Sequence, residues 1–375
     1  MEYDVAVIGG GIAGASAAAQ LAQKFSVILC ERETQPGYHA TGRSAALFSE
    51  TYGNETVRAL TIASRAFLES PPAGFTSTAI LSPRGAMHIG GDGDAALLDR
   101  AFETAHRLVP SVRRLTAAEV LQLVPVIKRD YVVGGVYEPD ARDVDTNGML
   151  QGFLRQLREA AGQIALAAEV VGLEKEPDGW RIQLPDRELK ARIIVNAAGA
   201  WGDQVAVLAG AKAVGLAPKR RTAFLFRPDQ SLEIARWPMV ICARESFYFK
   251  HDAGLILISP ADETPSLPVD AQPEELDVAI AADRVMAATN FDIRRIEHKW
   301  AGLRTFTKDK APVAGFDPSL DGFFWLVGQG GYGFQTAVAL SRVTANLVAG
   351  QALPAELQDL GISEAVLSPA RFSGN

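Results

Sequence analysis

The sequence predicts an α/β protein in which a parallel-sheet domain is interrupted by a second, α+β domain built on an antiparallel sheet. Three stretches typical of a strand, a glycine-rich turn and a helix lie far apart in the chain, at residues 3–23, 192–210 and 323–349. The segments between them have a different pattern. We therefore expect a discontinuous first domain and an inserted second domain, with residues 1–50, 141–215 and 301–375 in the first and residues 51–140 and 216–300 in the second.

The first intervening segment predicts helices separated by turns, whereas the second predicts strands. Helical patterns cover residues 55–69, 94–108 and 116–123. In the second segment, short runs rich in β-branched and aromatic residues are typical of an antiparallel sheet, and they occupy residues 222–226, 239–242, 246–249 and 255–258. Asp145 is placed to cap a helix over residues 146–161 that returns the chain to the first domain.

Length and charge exclude several classes of function. The chain has 375 residues, which suits two domains. It carries 37 Lys and Arg against 44 Asp and Glu, a formal charge of −7, so no broad attraction to nucleic acid is expected. Two cysteines, Cys30 and Cys242, cannot form a disulfide framework, and the five histidines show no zinc spacing. We predict no metal site.

The apolar segments predict no membrane span. No charge-free apolar stretch reaches the ~18 residues that a transmembrane helix needs. The first residues lack the basic region and cleavage site of a signal peptide. We therefore expect a reducing, cytoplasmic location, and peripheral attachment to the inner face of the membrane stays an open alternative.

Residues 3–31 have the pattern of a dinucleotide-binding βαβ unit. An apolar strand leads to Gly9, Gly11 and Gly14 in the spacing Gly-x-Gly-x-x-Gly. A predicted helix over residues 15–23 and a second strand ending at Glu31 follow. The glycines permit a tight turn, close approach of a pyrophosphate to the helix N-terminus, and close packing of helix on strand. Glu31 can accept hydrogen bonds from ribose hydroxyls.

The same glycine spacing recurs near the end of the chain without its context. Gly328, Gly330 and Gly333 satisfy the spacing, but no acidic residue follows before Glu356, so no second strand ending in an acid can be assigned. The N-terminal turn is therefore the predicted binding site of an adenine dinucleotide.

Two further glycine-rich turns favour FAD over NAD. Residues 192–201 predict a buried strand that breaks into small residues, which suits close approach of the backbone to a flat ligand. Residues 323–327 form a predicted strand that leads through residues 328–335 into a helix over residues 336–349. Its N-terminus would place N–H groups beside the pyrimidine edge of a flavin. The sequence therefore predicts FAD as the cofactor.

Five motifs together resemble the FAD-dependent D-amino-acid oxidase superfamily, most closely the bacterial D-arginine dehydrogenases and related D-amino-acid dehydrogenases, and they lie at residues 9–14, 30–46, 195–201, 300–304 and 329–333. The resemblance covers nearly the whole chain. It implies a Rossmann-like FAD-binding domain and a substrate domain whose antiparallel sheet lies over the flavin.

The motif glycines and the resemblance together predict a set of cofactor contacts. Its members are Gly9, Gly11, Ile12, Ala13, Gly14, Glu31, Arg32, Ala40, Thr41, Gly42, Arg43, Ser44, Ala45, Ala46, Leu47, Val170, Ala198, Gly199, Trp201, Gly330, Gly331, Tyr332, Gly333 and Phe334.

The resemblance also implies substrate residues and a reaction. Arg221 and Arg304 are expected to hold a carboxylate, since a guanidinium donates two parallel hydrogen bonds to that group. Tyr52 and Tyr248 match positions near the substrate, and Gln335 is a weaker candidate of the same kind. The implied reaction transfers the Cα hydrogen of a D-amino acid as a hydride to the flavin N5. Water then hydrolyses the imino acid to a 2-keto acid and ammonia.

Several departures from the pattern of the relatives argue against D-arginine as the best substrate. Ala86 stands where arginine-selective relatives carry an acidic residue, and it cannot pair with a guanidinium. Leu47 and Ser49 replace more polar or bulkier residues, and Arg244 lies beside the predicted hairpin of Tyr248. We therefore predict that apolar or acidic D-amino acids are preferred.

Three alternatives remain at this stage. One is oxidation of glycine, sarcosine or another N-methyl amino acid, and another is dehydrogenation of a 2-hydroxy acid, since both reactions need a carboxylate held beside the flavin. A third is a non-catalytic flavin-binding subunit of a larger complex. The sequence leaves the electron acceptor undecided between a quinone, a carrier and oxygen.

Overall fold

The computed structural model describes residues 2–372. Its strands are, in chain order, β1 (Glu2–Ile8), β2 (Val27–Cys30), β3 (Leu47–Phe48), β4 (Leu81–Pro83), β5 (Ala86–Gly90), β6 (Arg113–Thr116), β7 (Gly134–Glu138), β8 (Arg142–Val144), β9 (Gln163–Ala165), β10 (Gly172–Glu176), β11 (Gly179–Gln183), β12 (Glu188–Asn196), β13 (Ala217–Phe226), β14 (Met239–Cys242), β15 (Tyr248–Asp252), β16 (Leu255–Ser259), β17 (Thr264–Pro265), β18 (Ile296–Phe306), β19 (Val313–Phe316) and β20 (Phe323–Val327).

The helices of the same residues are α1 (Ile12–Leu21), α2 (Glu55–Glu69), α3 (Ala95–Leu108), α4 (Ala117–Leu123), α5 (Thr146–Glu159), α6 (Gly202–Leu208), α7 (Glu275–Ala288), α8 (Gly333–Val348), α9 (Ala355–Asp359) and α10 (Glu364–Leu367). Short 3₁₀ turns cover Gly199–Trp201, Ile234–Arg236 and Pro369–Phe372.

The first sheet is parallel at its centre and has helices on both faces. Strands β9, β2, β1, β12 and β20 are hydrogen-bonded in that order and run parallel. The first half of β12 pairs antiparallel with β11, which forms a hairpin with β10. Strand β19 pairs antiparallel with β20. Strands β2 and β20 are buried throughout, as parallel strands covered on both faces are. The predicted Rossmann-like α/β fold class is confirmed.

The second sheet has nine strands and is antiparallel except where β5 meets β14. Its two longest strands, β13 and the edge strand β18, pair over their full lengths. One face packs on α7 through Val278, Ala281 and Val285. The opposite face carries Tyr248 and Ala223 and faces the first domain. The predicted antiparallel sheet is therefore present, and it leaves one face available to cover a ligand.

Helix α2 lies in a segment that the sequence assigns to the second domain, yet it packs in the first domain's core. Its buried residues Leu60 and Leu68 belong to the same apolar cluster as Leu150 of α5 and Leu340 of α8. A small sheet of β3, β8 and β4 then joins the two domains. In the structure, residues 55–80 thus supply part of the core beneath the parallel sheet.

The ends of two helices differ from the predicted ends. Helix α1 begins at Ile12 rather than residue 15, and α8 begins at Gly333 rather than residue 336. Both helices start inside glycine-rich turns. Glycine has a low helix propensity, so the composition of such a turn hides the first helical residues. The structure therefore brings both helix N-termini closer to the glycine-rich turns than the sequence indicated.

Candidate functional site

A cavity lies between the carboxyl ends of the parallel strands and the second sheet. This is the edge at which open α/β sheets bind their ligands. Predicted cofactor residues line most of it, namely Gly9, Gly11, Ile12, Ala13, Glu31, Arg32, Ala40, Thr41, Arg43, Ser44, Ala45, Val170, Ala198, Gly199, Trp201, Gly330, Gly331, Gly333 and Phe334. The predicted substrate residues Arg221, Tyr248 and Arg304 line it as well.

The other predicted cofactor residues lie behind or beside the cavity wall. Gly14 packs under the N-terminal turn, and Gly42 donates its N–H to the carbonyl of Gly37 at 2.7 Å. Leu47 packs in the apolar cluster of Tyr248, and Ala46 packs against the core of the first domain. Tyr332 precedes the first residue of α8. These residues shape the wall rather than line it.

The turn between β1 and α1 has the geometry that a pyrophosphate requires. Gly9 has a φ of 109°, and a Cβ there would lie 2.5 Å from the carbonyl oxygen of Ala197. Gly11 is the N-cap of α1 and provides no side-chain cap. The positive end of the helix dipole therefore points into the cavity, where it favours an anionic group.

Glu31 lies at the end of β2 next to this turn. Its Oε2 accepts a hydrogen bond from the N–H of Gly10 at 2.8 Å, and its Oε1 accepts one from the N–H of Glu33 at 2.9 Å. Burial raises the pKa of Glu31, although these two hydrogen bonds oppose the shift. The carboxylate is thus held where the ribose of a nucleotide bound to the turn would lie.

His39 lines the nucleotide end of the cavity, although the sequence did not mark it as a cofactor contact. The guanidinium carbon of Arg32 lies 4.9 Å from the centre of the Trp201 ring, and the His39 ring lies 4.6 Å from it. His39 Nε2 contacts Glu33 Oε1 at 2.8 Å. The three side chains Arg32, His39 and Trp201 form one wall of the cavity. His39 stood inside the 30–46 motif, but the motif gave no reason to separate it from its neighbours.

Arg43 points toward a loop that closes over the cavity. Its Nη2 lies 2.5 Å from Asp270 Oδ1, and its Nη1 donates to the carbonyls of Ala271 and Ala301 at 2.9 and 3.0 Å. Val269 and Ala271 of that loop line the cavity. No signal in the sequence indicated this loop, because residues 266–273 match neither a helical nor a strand pattern.

Two buried polar atoms lack a protein partner at the end of the cavity opposite Glu31. They are Thr305 Oγ1 and Gln329 Nε2, and both side chains line the cavity. Buried polar groups in proteins are nearly always hydrogen-bonded, so these two atoms are suited to a ligand. The N-terminus of α8 opens beside them without a side-chain cap or an acidic residue in its first turn. The residues present therefore fit FAD, with the nucleotide at Glu31 and the flavin here.

Arg304 is a cation without a carboxylate partner among residues 2–372. Its Nη1 donates to the Tyr52 hydroxyl at 3.3 Å, and no acidic oxygen lies within ion-pair distance. Burial lowers the pKa of Arg304, but the neighbouring hydroxyls of Tyr52 and Tyr248 outweigh that effect and leave it above its ordinary value. The guanidinium is thus a permanent, unpaired positive charge on the wall of the cavity.

Arg221 lies on the same face of the sheet as Arg304, because its register partner is Gly302 and alternate residues share a face. It is less available than Arg304. Its Nε donates to the carbonyl of Asp262 at 2.7 Å, and its Nη2 lies 3.5 Å from Glu263 Oε1. The adjacent Arg220 pairs with Glu274 and Asp277 and faces away.

The two predicted tyrosines have different environments. Tyr248 is buried and lines the cavity. Tyr52 is 40% exposed, and its ring lies edge-on to Tyr332 at 4.9 Å between ring centres. Tyr52 thus lies at the outer edge of the site and contacts it through Arg304. Gln335 is buried on α8 behind the wall, and its Oε1 accepts from the N–H of Ser49 at 3.4 Å.

Two of the departures that concern substrate choice, Ala86 and Arg244, lie outside the cavity lining. Ala86 is buried on β5 and pairs in register with Glu138 of β7, and neither residue lines the cavity. Arg244 pairs with Asp94, with Nε 2.6 Å from Oδ1. Arg244 also does not line the cavity, so the structure shows no direct route for it to contact a substrate.

Residues 2–372 lack two kinds of feature. No group of three or more His, Cys, Asp and Glu side chains is arranged to hold a metal ion in the described part of the chain. Within the same residues, no helix has the length and apolar character needed to cross a membrane.

The chain is similar to several known enzymes over most of its length. It is 23% identical to the glycine oxidase of Geobacillus kaustophilus over 364 residues, which cover 92% of each protein. Its fold matches the crystal structure of L-proline dehydrogenase from P. horikoshii with a TM-score of 0.84 at 21% identity, over 99% of this chain and 98% of that one. The FAD-bound L-α-glycerophosphate oxidase of Mycoplasma pneumoniae gives a TM-score of 0.84 at 17% identity, over 93% and 95%.

A family model matches most of the chain. The model of the DAO family, described as FAD dependent oxidoreductase, matches residues 4–347. That range includes the N-terminal glycine turn, Arg304 and the N-terminus of α8. The chain therefore belongs to the DAO family of FAD-dependent oxidoreductases.

Proposed function

We propose that the protein oxidises the amine-bearing carbon of a small amino acid, in the first instance a D-amino acid. The observation that carries the proposal is the unpaired guanidinium of Arg304 on the cavity wall, beside Tyr248 and at the end of the cavity where the flavin fits. An amino acid supplies the carboxylate that this cation lacks. The D configuration rests on the motif resemblance.

Each of the protein's groups has a definite task in such a reaction. Arg304 binds the substrate carboxylate and stays charged, because its pKa lies above the ordinary value. Arg221 assists from the same face of the sheet with the donors that Asp262 and Glu263 leave free. The rings of Tyr52 and Tyr332 exclude water from the outer side of the site. When bound, FAD supplies the acceptor for the hydride that leaves Cα.

Oxidation of glycine or an N-methyl glycine is the second candidate. It is favoured by the likeness to glycine oxidase, which extends over 92% of both proteins. A carboxylate held by Arg304 serves this reaction equally well, since glycine differs from a D-amino acid only in lacking a side chain. The size of the substrate side chain is therefore what separates the two candidates.

The test is anaerobic addition of amino acids to the FAD-loaded protein, with the visible flavin band as the readout. D-amino acids are expected to bleach the band, with ammonia and a 2-keto acid as products. Bleaching by glycine or sarcosine alone, with glyoxylate as product, would favour the second candidate. Bleaching by L-amino acids alone, or by no amino acid, would exclude the proposal.

Within the D-amino acids, D-arginine is expected to be a poor substrate. Arg221 and Arg304 give the substrate end of the cavity a positive potential, and the guanidinium of D-arginine would meet it as a like charge. We expect kcat/KM for D-Arg at least about tenfold below that for the best of D-Met, D-Phe and D-Glu, which corresponds to about 1.4 kcal/mol. A steady-state comparison of the four substrates checks this, and the highest kcat/KM on D-Arg would contradict it.

A further inference from the structure

A buried carboxylate outside the cavity binds the loop that carries Tyr52. Glu138 lies at the end of β7 and is 7% exposed. Its Oε2 accepts a hydrogen bond from Ser49 Oγ at 2.8 Å and another from Thr51 Oγ1 at 2.7 Å. Both hydroxyls belong to the loop between β3 and α2. One carboxylate oxygen of the second sheet therefore holds two residues of that loop.

The other end of the loop is fixed by a helix cap. Asn54 is the N-cap of α2, and its Oδ1 accepts from the N–H of Val57 at 2.9 Å. Its Nδ2 donates to the carbonyl of Asp309 at 3.2 Å. Only Tyr52 and Gly53 lie between Thr51 and this cap. The position of the Tyr52 side chain is thus set by the two anchors.

Tyr52 connects the loop that Glu138 holds to the unpaired cation, Arg304. Its hydroxyl accepts from Arg304 Nη1 at 3.3 Å, and its ring packs edge-on against Tyr332 at 4.9 Å. Glu138 itself contacts neither group. Hydrogen bonds to a buried acceptor are stronger than those exposed to water, so the two bonds to Glu138 hold the loop more firmly than exposed hydroxyl contacts would.

We infer that Glu138 is a positioning residue for substrate binding, since its carboxylate fixes the loop of residues 49–53 and so holds Tyr52 beside Arg304. The inference deepens the proposed function and rests on it, because it takes Arg304 as the carboxylate-binding group. Without the hydrogen bonds to Glu138, a smaller fraction of the substrate-free enzyme has Tyr52 beside Arg304. Apparent substrate affinity falls by the same factor, whereas saturating substrate restores the closed arrangement. The effect therefore falls on KM and spares kcat.

The variants Glu138→Leu and Ser49→Ala/Thr51→Val remove the anchor from its two sides. In the FAD-loaded enzyme, each is expected to raise KM about tenfold with kcat within about twofold of wild type. Combining them is expected to add little, because both remove the same hydrogen bonds. Glu138→Gln keeps an amide oxygen that accepts a hydroxyl, so its KM is expected to lie between those of wild type and Glu138→Leu. Glu138→Gln also tests the inference if Glu138→Leu does not fold.

A second readout does not depend on activity. Amide hydrogen exchange of residues 49–53, measured without substrate, is expected to rise in Glu138→Leu. The matched control is Asp94→Asn. Asp94 is a buried carboxylate of the same domain that accepts from Arg244 Nε at 2.6 Å and from the N–H of Gly91 at 2.9 Å, away from the loop. This control is expected to lower Tm without changing KM or the exchange of the loop.

Three results would overturn the inference. The first is unchanged exchange of residues 49–53 in Glu138→Leu, and the second is an equal rise of KM in Asp94→Asn. The third is raised exchange with an unchanged KM for an amino acid that the enzyme oxidises, which would leave the proposed function standing. If the wild-type protein oxidises no amino acid, the proposed function fails and the inference fails with it, so the two failures are distinguishable.

Discussion

Replacing Arg304 with leucine is expected to lower kcat/KM for the best amino acid substrate roughly 100- to 1,000-fold while FAD stays bound. Arg304 has no carboxylate partner among residues 2–372, so its charge is available to the substrate. Removing one member of a buried charge pair costs about 2–5 kcal/mol, largely because the other charge is left unpaired. The measurement is the rate of anaerobic flavin reduction as a function of substrate concentration.

Two companion variants determine whether the effect comes from the carboxylate contact. Arg304→Lys keeps the charge and loses the planar pair of donors, so an intermediate loss of about tenfold is expected. Arg221→Leu is expected to lower kcat/KM less than Arg304→Leu does, since Arg221 Nε already donates a hydrogen bond to the carbonyl of Asp262. An unchanged KM in Arg304→Leu, with a normal flavin spectrum, would contradict the assignment of Arg304.

A substrate without a carboxylate separates binding from damage to the flavin site. A primary amine of similar size should be a poor substrate for the wild-type enzyme. The Arg304→Leu change should lower kcat/KM for this amine only a little further. If the variant lowered kcat/KM by the same factor for the amine as for the amino acid, Arg304 would be acting on the flavin or on the fold. The difference between the two losses therefore measures the contact with the carboxylate.

The N-terminal unit could be predicted from sequence because its signals are local. The apolar strand, the glycine spacing and Glu31 all fall within residues 3–31, and each has one structural meaning in that order. Helix α2 was predicted over residues 55–69 and is observed over the same residues. Its packing partner was not predicted, since an apolar helical face does not specify which core it joins. That choice depends on α8, which lies far away in the chain.

The distinction between neighbouring arginines also required the structure. Residues 219–221 contain three consecutive cations, and a basic run of this kind has no strand signal. Pairing with β18 places Arg221 opposite Gly302, on the face that carries Arg304, and turns Arg220 toward Glu274. A shift of one residue in register would exchange the roles of Arg220 and Arg221. The motif resemblance identified Arg221, and the strand pairing gives the physical reason.

The contacts that the sequence analysis missed link residues far apart in the chain. Glu138 contacts Ser49 across 89 positions, and Arg43 contacts Asp270 across 227. Neither acidic residue lies in a motif. The role of each carboxylate can be recognised only when the two chain segments that it joins have been placed side by side.

Replacing Gly14 with alanine is expected to abolish FAD binding, and in most molecules to prevent the N-terminal unit from folding correctly. A Cβ at this position would lie 1.9 Å from the carbonyl oxygen of Gly9 and 3.3 Å from Ala197 Cβ. The oxygen belongs to the backbone of the turn, so it cannot move aside as a flexible side chain would. Helix α1 would have to move away from β1 and take its N-terminus out of line with the pyrophosphate.

The expected result is a colourless protein with a lowered Tm that added FAD does not raise, measured by the visible spectrum and by thermal melts with and without FAD. The matched control is Gly91→Ala. A Cβ at Gly91 meets its nearest neighbour, the carbonyl oxygen of Tyr131, at an ordinary 3.5 Å, and Gly91 lies in the second domain away from the cavity. The control should retain the flavin colour. A yellow Gly14→Ala protein with wild-type affinity for FAD would show that α1 can move without loss of the cofactor, and the role assigned to this glycine would then be wrong.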